Sequence, residues 1–431
     1  MATAAGVLRA EQIHRAVLPT GLRILTVDRP GSGMVALHVL VSAGSRFDDG
    51  RPGLAQVTAE SLQRGTRHTS AQTLAERLDA MGATLAVLPG LEAVTLAGRA
   101  LTEDFTAYLR LAAEVLTAPA FPPDEVAKVR GELLTALRVH EMDTRYAAER
   151  AFRRLAFPPE HPHAQPPDGD AAVIESLEGA ALTAFHQRRY TPEETILILI
   201  GDVRPEAAAD QVESALGGWS RGGEGDGAAA PRAALEAPAP APGVGPRRET
   251  TAIPGKRQSD IVLGGVAVTR HDPDYYALML ATLILGRQGM MGRVGHRVRE
   301  ELGLAYYAYV EARAGLLAGP WWARAGVNPD NVGRAVEAIL EEAIRFGREG
   351  PTPSELDDAR DFLTGSLAVR LETHAGQSAA LAEMEFFDLG LDYLERYPAI
   401  VRSVSAEAIQ AAAQRFPTQG YALAVAGPPS G

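Results

Sequence analysis

The chain has 431 residues, 46% of them hydrophobic and 22% charged, with a formal net charge of −12 from 42 Lys and Arg against 54 Asp and Glu. That length allows two or three ordinary domains, and the composition is that of a globular protein. The acidic balance repels phosphate backbones and anionic lipid, so neither nucleic acid nor a membrane is an expected partner, and the absence of cysteine excludes disulfides, thiolate zinc sites and cysteine nucleophiles.

The opening stretch carries Arg9, Glu11, His14 and Arg15 and has no apolar core of signal-peptide length. The longest apolar run, 275–285, is far short of the roughly 18 residues of a membrane helix, so the expected location is the cytoplasm. Two strands, 22–28 and 34–44, flank a Pro-Gly turn. Helical patterning follows at 53–63, at 70–81 and in a long polar-faced stretch near 124–154, with Leu62, Leu74, Leu78 and Leu111 as core positions. The first half closes with an amphipathic helix from Val173 and an apolar strand ending at Gly201. Residues 220–248 form a Gly/Ala/Pro tract with no hydrophobic period, which reads as a linker. Strands then recur at TAIPG and 260–268, helices at 275–285 and 331–348, and the chain ends in a second helix-strand unit from Ile400.

The two closing units align. Ser176 matches Ser403, Leu182 matches Ile409, Arg188 matches Arg415 and, after a one-residue slip, Gly201 matches Gly427. The expected architecture is therefore two homologous α+β domains, 1–219 and 249–431, each a mainly antiparallel sheet with helices packed on it.

Residues 41–66, VSAGSRFDDGRPGLAQVTAESLQRGT, carry a Gly-Ser strand end that leads into a Gly-Leu-Ala-opened helix. This segment resembles the signature region of the pitrilysin/insulinase (inverzincin) metallopeptidases, where the helix bears H-x-x-E-H: two His bind zinc and the Glu acts as general base. Gln56, Ala59 and Glu60 occupy those positions here. An amide is a poor zinc ligand and alanine accepts no proton, so hydrolytic activation of water is lost. The resemblance places the third ligand at Glu132, with Glu125 two turns before it. Glu60, Glu125 and Glu132 read either as solvated carboxylates or as a cluster for a hard cation such as Mg²⁺ or Ca²⁺.

A second matching stretch, 284–313, runs ILGRQGMMGRVGHRVREELGLAYYAYVEAR. It resembles the family's second-domain segment, in which a helix bearing an Arg stops at Gly-Leu and delivers a Tyr on the next strand; Arg299 and Tyr306 match that pair, with Gly303 as the stop. The resemblance implies that the pair hydrogen-bonds a substrate carbonyl opposite the zinc and stabilises the developing oxyanion. Gly286, Gly289, Gly292 and Gly295 precede it and, by the same resemblance, form a glycine-rich loop that touches substrate.

The resemblance covers nearly the whole chain, which is similar to the non-catalytic, mitochondrial processing peptidase alpha-like subunits. It implies a zinc-free subunit, without a cofactor of its own, that pairs with a homologous H-x-x-E-H-bearing subunit holding the zinc and contributes peptide contacts and the Arg299/Tyr306 clamp. The alternative is an inert peptidase-like scaffold or a peptide-binding subunit of a larger assembly.

Other signals are weaker. Gly218-Trp219-Ser220-Arg221-Gly222 spells a nucleophile elbow but follows a helix, which is the wrong context. His161 and His163 lie in a proline-rich loop and read as packing residues, and His38 as a satisfied sheet residue.

Overall fold

Two sheets organise the computed structural model, which describes residues 8–166, 168–220, 246–289 and 291–429. In chain order the first half contains β1 (His14–Val17), β2 (Arg23–Asp28), β3 (Met34–Val41), α1 (Leu54–Ser61), α2 (Ala71–Ala80), β4 (Thr84–Leu88), β5 (Val94–Leu101) and α3 (Phe105–Thr117). It continues through α4 (Pro123–Glu141), α5 (Thr144–Ala156), α6 (Ala171–Ser176), α7 (Gly179–Arg189), β6 (Thr195–Gly201) and α8 (Pro205–Leu216). The second half has β7 (Arg247–Ala252), β8 (Ser259–Val266), α9 (Tyr275–Gly286), α10 (Gly292–Gly295), a π-helical turn (His296–Glu301), β9 (Ala305–Ala314) and β10 (Ala318–Val327). It ends with α11 (Val332–Glu349), α12 (Pro353–Arg370), α13 (His374–Phe386), α14 (Tyr393–Ser403), α15 (Ala406–Gln414) and β11 (Ala422–Gly427).

The sheet orders are β1-β2-β6-β3-β5-β4 and β7-β11-β8-β10-β9. Apart from β1 they share one topology: a parallel pair, β2/β6 or β7/β11, followed by antiparallel neighbours. The α+β class and the mainly antiparallel sheets agree with the expectation from sequence. Ser176 and Ser403 end α6 and α14, and Gly201 and Gly427 end β6 and β11, so the aligned positions are equivalent in space as well. The strands flanking the Pro-Gly turn are not a hairpin. Their connection passes over the end of β6, where Arg29 N donates to Gly201 O (2.7 Å) and Asp202 N to Met34 O (3.0 Å).

Two compact units emerge, and they differ from the halves read along the sequence. One comprises the described residues of 1–135, 167–231 and 367–396; the other those of 136–166, 232–366 and 397–431. The long stretch near 124–154 is two helices, because Asp143 accepts from Arg145 N (2.7 Å) and Tyr146 N (3.0 Å) and starts α5 afresh. Helix α5 then joins the second unit: Ala148, Ala151 and Phe152 pack with Val262, Trp322 and Ala424. Its counterpart α13 joins the first unit and lies on β3 and β6. Two-sided cover explains why β11 is buried throughout. Ala422, Ala424 and Ala426 face α5, while Leu423 and Val425 join Ile339 and Ile409. Of the expected linker, 221–245 lie outside the described residues, and β7 already begins at Arg247. Among the described residues no helix is long and apolar enough to cross a membrane.

Candidate functional site

Helix α1 is set by the turn before it. Gly53 has φ +107, and a side chain there would meet Ile174. Asp48, buried, accepts from Gly53 N (2.9 Å) and Ala55 N (2.7 Å), capping the helix; burial pushes its carboxyl up to about 6 against the pull of those two amides. The framework of the motif helix is thus intact, and its chemistry is different.

Gln56 and Glu60 lie one turn apart and bond to each other, with Gln56 Nε2 donating to Glu60 Oε1 at 3.1 Å. Ala59 is fully buried. Burial raises the Glu60 carboxyl, partly offset by the Gln56 amide and reinforced by the nearby charge of Glu132. Glu132 is therefore beside α1, as the resemblance implied, but it is held by Arg64 at 2.5 Å. Glu125 binds Lys128 at 2.6 Å. Among the described residues no group of three His, Asp or Glu is placed to hold a metal. The donors do not fit zinc: an amide, a carboxylate already bonded to it and a second carboxylate neutralised by a guanidinium supply neither imidazole nor base. A cleft of about 630 Å³ opens beside Glu60 and Arg64, walled by Leu74, Leu78, Val87 and Leu88. Strand β4, at the end of its sheet, forms one lip.

In the second unit Arg299 lies in the π-helical turn, a wider coil than the plain helix expected from sequence. Gly303, at φ +59, stops the turn, and Leu304 N donates back to Val298 O (2.9 Å) before β9 begins. Tyr306 is 69% exposed on β9, the terminal strand of its sheet. The Arg299 guanidinium is also exposed, 3.4 Å from Met291 Sδ and 3.7 Å from Glu300. The two side chains share a chain segment and solvent access but no hydrogen bond joins them among the described residues.

The glycines have a packing role that the sequence did not reveal. A side chain at Gly286 would stand 2.2 Å from Val310 O, and one at Gly295 would stand 2.8 Å from Ala308 O, so α9 and α10 press on β9 only because these residues lack a Cβ. Gly292 approaches the Gly286 amide in the same way, whereas Gly289, at φ +65, has open space around it. Gly289 and Gly292 border a cleft of about 560 Å³ with Arg293, His296 and Glu355.

His161 and His163 stack on Phe157 at 4.9 and 5.1 Å, and burial pushes His163 down to about 3; both are core residues. His38 lies in β3, opposite Ala97 on β5 and Ile198 on β6. It borders a cavity under α13, and burial pushes its ring down to about 4. Gly218 to Ser220 follow α8, and Arg221 and Gly222 lie outside the described residues.

Known proteins share this design. The family description "Insulinase (Peptidase family M16)" matches residues 23–157, and "Peptidase M16 inactive domain" matches 176–363. An uncharacterised zinc protease of Mycobacterium tuberculosis is 27% identical over 417 residues, covering 96% of this chain and 93% of the relative. A non-peptidase homolog, YmxG, of Helicobacter pylori is 24% identical, covering 81% of this chain and 77% of the relative. A crystal structure described as a peptidase M16 inactive domain from Pseudomonas fluorescens superposes with a TM-score of 0.86 at 25% identity, covering 97% of this chain and 98% of that one. The chain belongs to the peptidase M16 (insulinase) family.

Proposed function

We propose that this chain is the non-catalytic subunit of a two-chain zinc metallopeptidase, one that holds peptide substrate and presents Arg299 and Tyr306 to a scissile carbonyl. The partner is a homologous chain with H-x-x-E-H and supplies the zinc and its activated water. The observation that carries this reading is the state of α1: its capped framework is kept while Gln56, Ala59 and the Arg64–Glu132 ion pair stand where ligands and base would be.

Two further features support it. The cleft beside α1 has an apolar wall and a terminal strand, β4, for a lip, which suits an extended peptide adding its main chain to the sheet. Arg299 and Tyr306 are both exposed and so available to a group brought by another molecule. A guanidinium and a phenol are complementary to an oxyanion, and their contribution is largest where charge develops in the transition state.

Native mass spectrometry and a peptide-hydrolysis assay on the chain, on an H-x-x-E-H-bearing M16 partner from the same source, and on their mixture test the proposal. The expected result is a one-to-one complex and hydrolysis by the mixture alone. Full activity of the partner by itself, unchanged by this chain, would reduce the chain to a scaffold.

A further inference from the structure

The shared topology of the two sheets lets each position of one be compared with its counterpart in the other. Counting from Gly201 and Gly427, Ala36 pairs with Ile200 and Arg99, as Asp260 pairs with Ala426 and Gly326. Counting from the helix caps Thr373 and Asp143, Ala379 on α13 corresponds to Glu149 on α5. In the second unit the space between helix and sheet is filled: Glu149 bonds Arg153 and Arg324, Trp322 lies under Arg324, and Tyr307 and Thr144 both bond Asp260. The counterparts of Asp260, Trp322, Arg324, Tyr307 and Glu149 in the first unit are Ala36, Thr95, Ala97, Thr84 and Ala379. The side chains that close the space are absent there, and a cavity of about 620 Å³ remains between α13 and the sheet.

Its wall is apolar over Ala36 and Ala97 and, where it opens to solvent, over the exposed Ala375 and Ala379, and it is polar at one side. The polar side is positive. Arg99 is exposed at the rim and has no ion-pair partner among the described residues, and no Asp or Glu lines the cavity. Arg29 stands close by, bonding Gln377 Oε1 at 3.4 Å. The first amides of α13, those of His374 and Ala375, are left open because the Thr373 cap serves Gly376. His374 Nδ1 is buried without a hydrogen bond.

We infer that this cavity binds a carboxylate joined to an apolar body, the carboxylate meeting Arg99 and the start of α13 and the body lying against the alanines. This chemistry is shared by a free medium-chain acid and by the C-terminus of a peptide ending in an apolar residue. The site is separate from the Arg299/Tyr306 clamp, so its test is independent of the proposed subunit role. A volume of this size is in the range of small-ligand sites.

The experiment is calorimetric titration of the full chain with octanoate, octan-1-ol, the tripeptide Ala-Ala-Leu and its C-terminal amide. Octanoate or the free-acid peptide binds, the alcohol and amide bind at least about ten-fold more weakly, and Arg99→Gln removes a similar factor, as expected for one charge-assisted hydrogen bond. The tighter of the two acids identifies the source. Ala97→Leu, which fills the cavity, abolishes binding while its circular dichroism stays that of the wild type; should it not fold, Arg99→Gln at its exposed site decides alone. No binding of either acid up to millimolar concentration, equal binding of acid and alcohol, or affinity unchanged by Arg99→Gln would overturn the inference.

Discussion

The two helix-covered sheet faces have the same strands in the same order and contents of opposite kind. Under α5 the second unit packs Trp322 among Phe152 (ring centroids 5.2 Å apart) and the guanidiniums of Arg153, Arg313 and Arg324. Under α13 the first unit has Ala, Thr and two histidines around a cavity. The difference teaches that the duplicated fold does not need the ionic filling to hold the exchanged helix. Where it is present it is a packed, charge-compensated core, and where it is missing the position is free for other use.

Removing the filling should show that asymmetry most strongly. Trp322→Ala is expected to cost about 3–5 kcal/mol, the usual loss for a buried indole, whereas Thr95→Ala at the matching position of the first unit costs no more than about 0.5 kcal/mol. Denaturant unfolding read alongside hydrogen exchange in β10 and β5 checks both. Glu149→Gln belongs with the larger effect. Burial alone would raise this carboxyl, but Arg153 and Arg324 outweigh it and hold it below the ordinary range, so neutralising it leaves two buried guanidiniums uncompensated at a cost of about 3–5 kcal/mol.

Packing between α9 and β9 supplies an intermediate effect. Gly286→Ala puts a methyl against the Val310 backbone and should destabilise by about 1–3 kcal/mol, more than Gly289→Ala, whose space is open and whose strain is only that of its positive φ. Thermal melts of the two variants give the ranking. A further effect is absent at neutral pH and appears only on acidification. His38 has a folded pKa depressed from 6.5 to about 4, so its neutral form contributes stability that is full above 6.5 and lost as pH falls toward 4. His38→Gln should therefore show a shallower fall in stability over that window in pH-dependent melts.

Much of this was legible in the sequence, for identifiable reasons. The glycine-ended strands, the degenerate α1 and the Gly303 stop are local signals, and local signals survive without a structure. The break at Asp143 was missed in reading 124–154 as one stretch, although an Asp before Thr-Arg-Tyr is an ordinary helix cap. The exchange of α5 and α13 was not legible: periodicity reveals which face of a helix is apolar, not which sheet receives it. Strands β4 and β5 were hidden by their Ala and Gly content. The π-helical turn at Arg299 has no residue pattern that marks it off from a plain helix. The cavity is made by alanines at 36, 97 and 379, and their common location becomes visible only once the strands are in register.

Kinetics of the assembled pair test the central claim most directly. Arg299→Ala and Tyr306→Phe, separately and together, are to be measured in kcat and kcat/KM with complex formation followed by gel filtration and the partner's zinc by elemental analysis. Loss of one oxyanion donor predicts a fall in kcat on the order of a hundred- to a thousand-fold, with the complex and its zinc unchanged and with the double variant less than additive because both donors serve one oxygen. Wild-type kinetics in both single variants and in the double would contradict the account and return Arg299 and Tyr306 to ordinary surface residues.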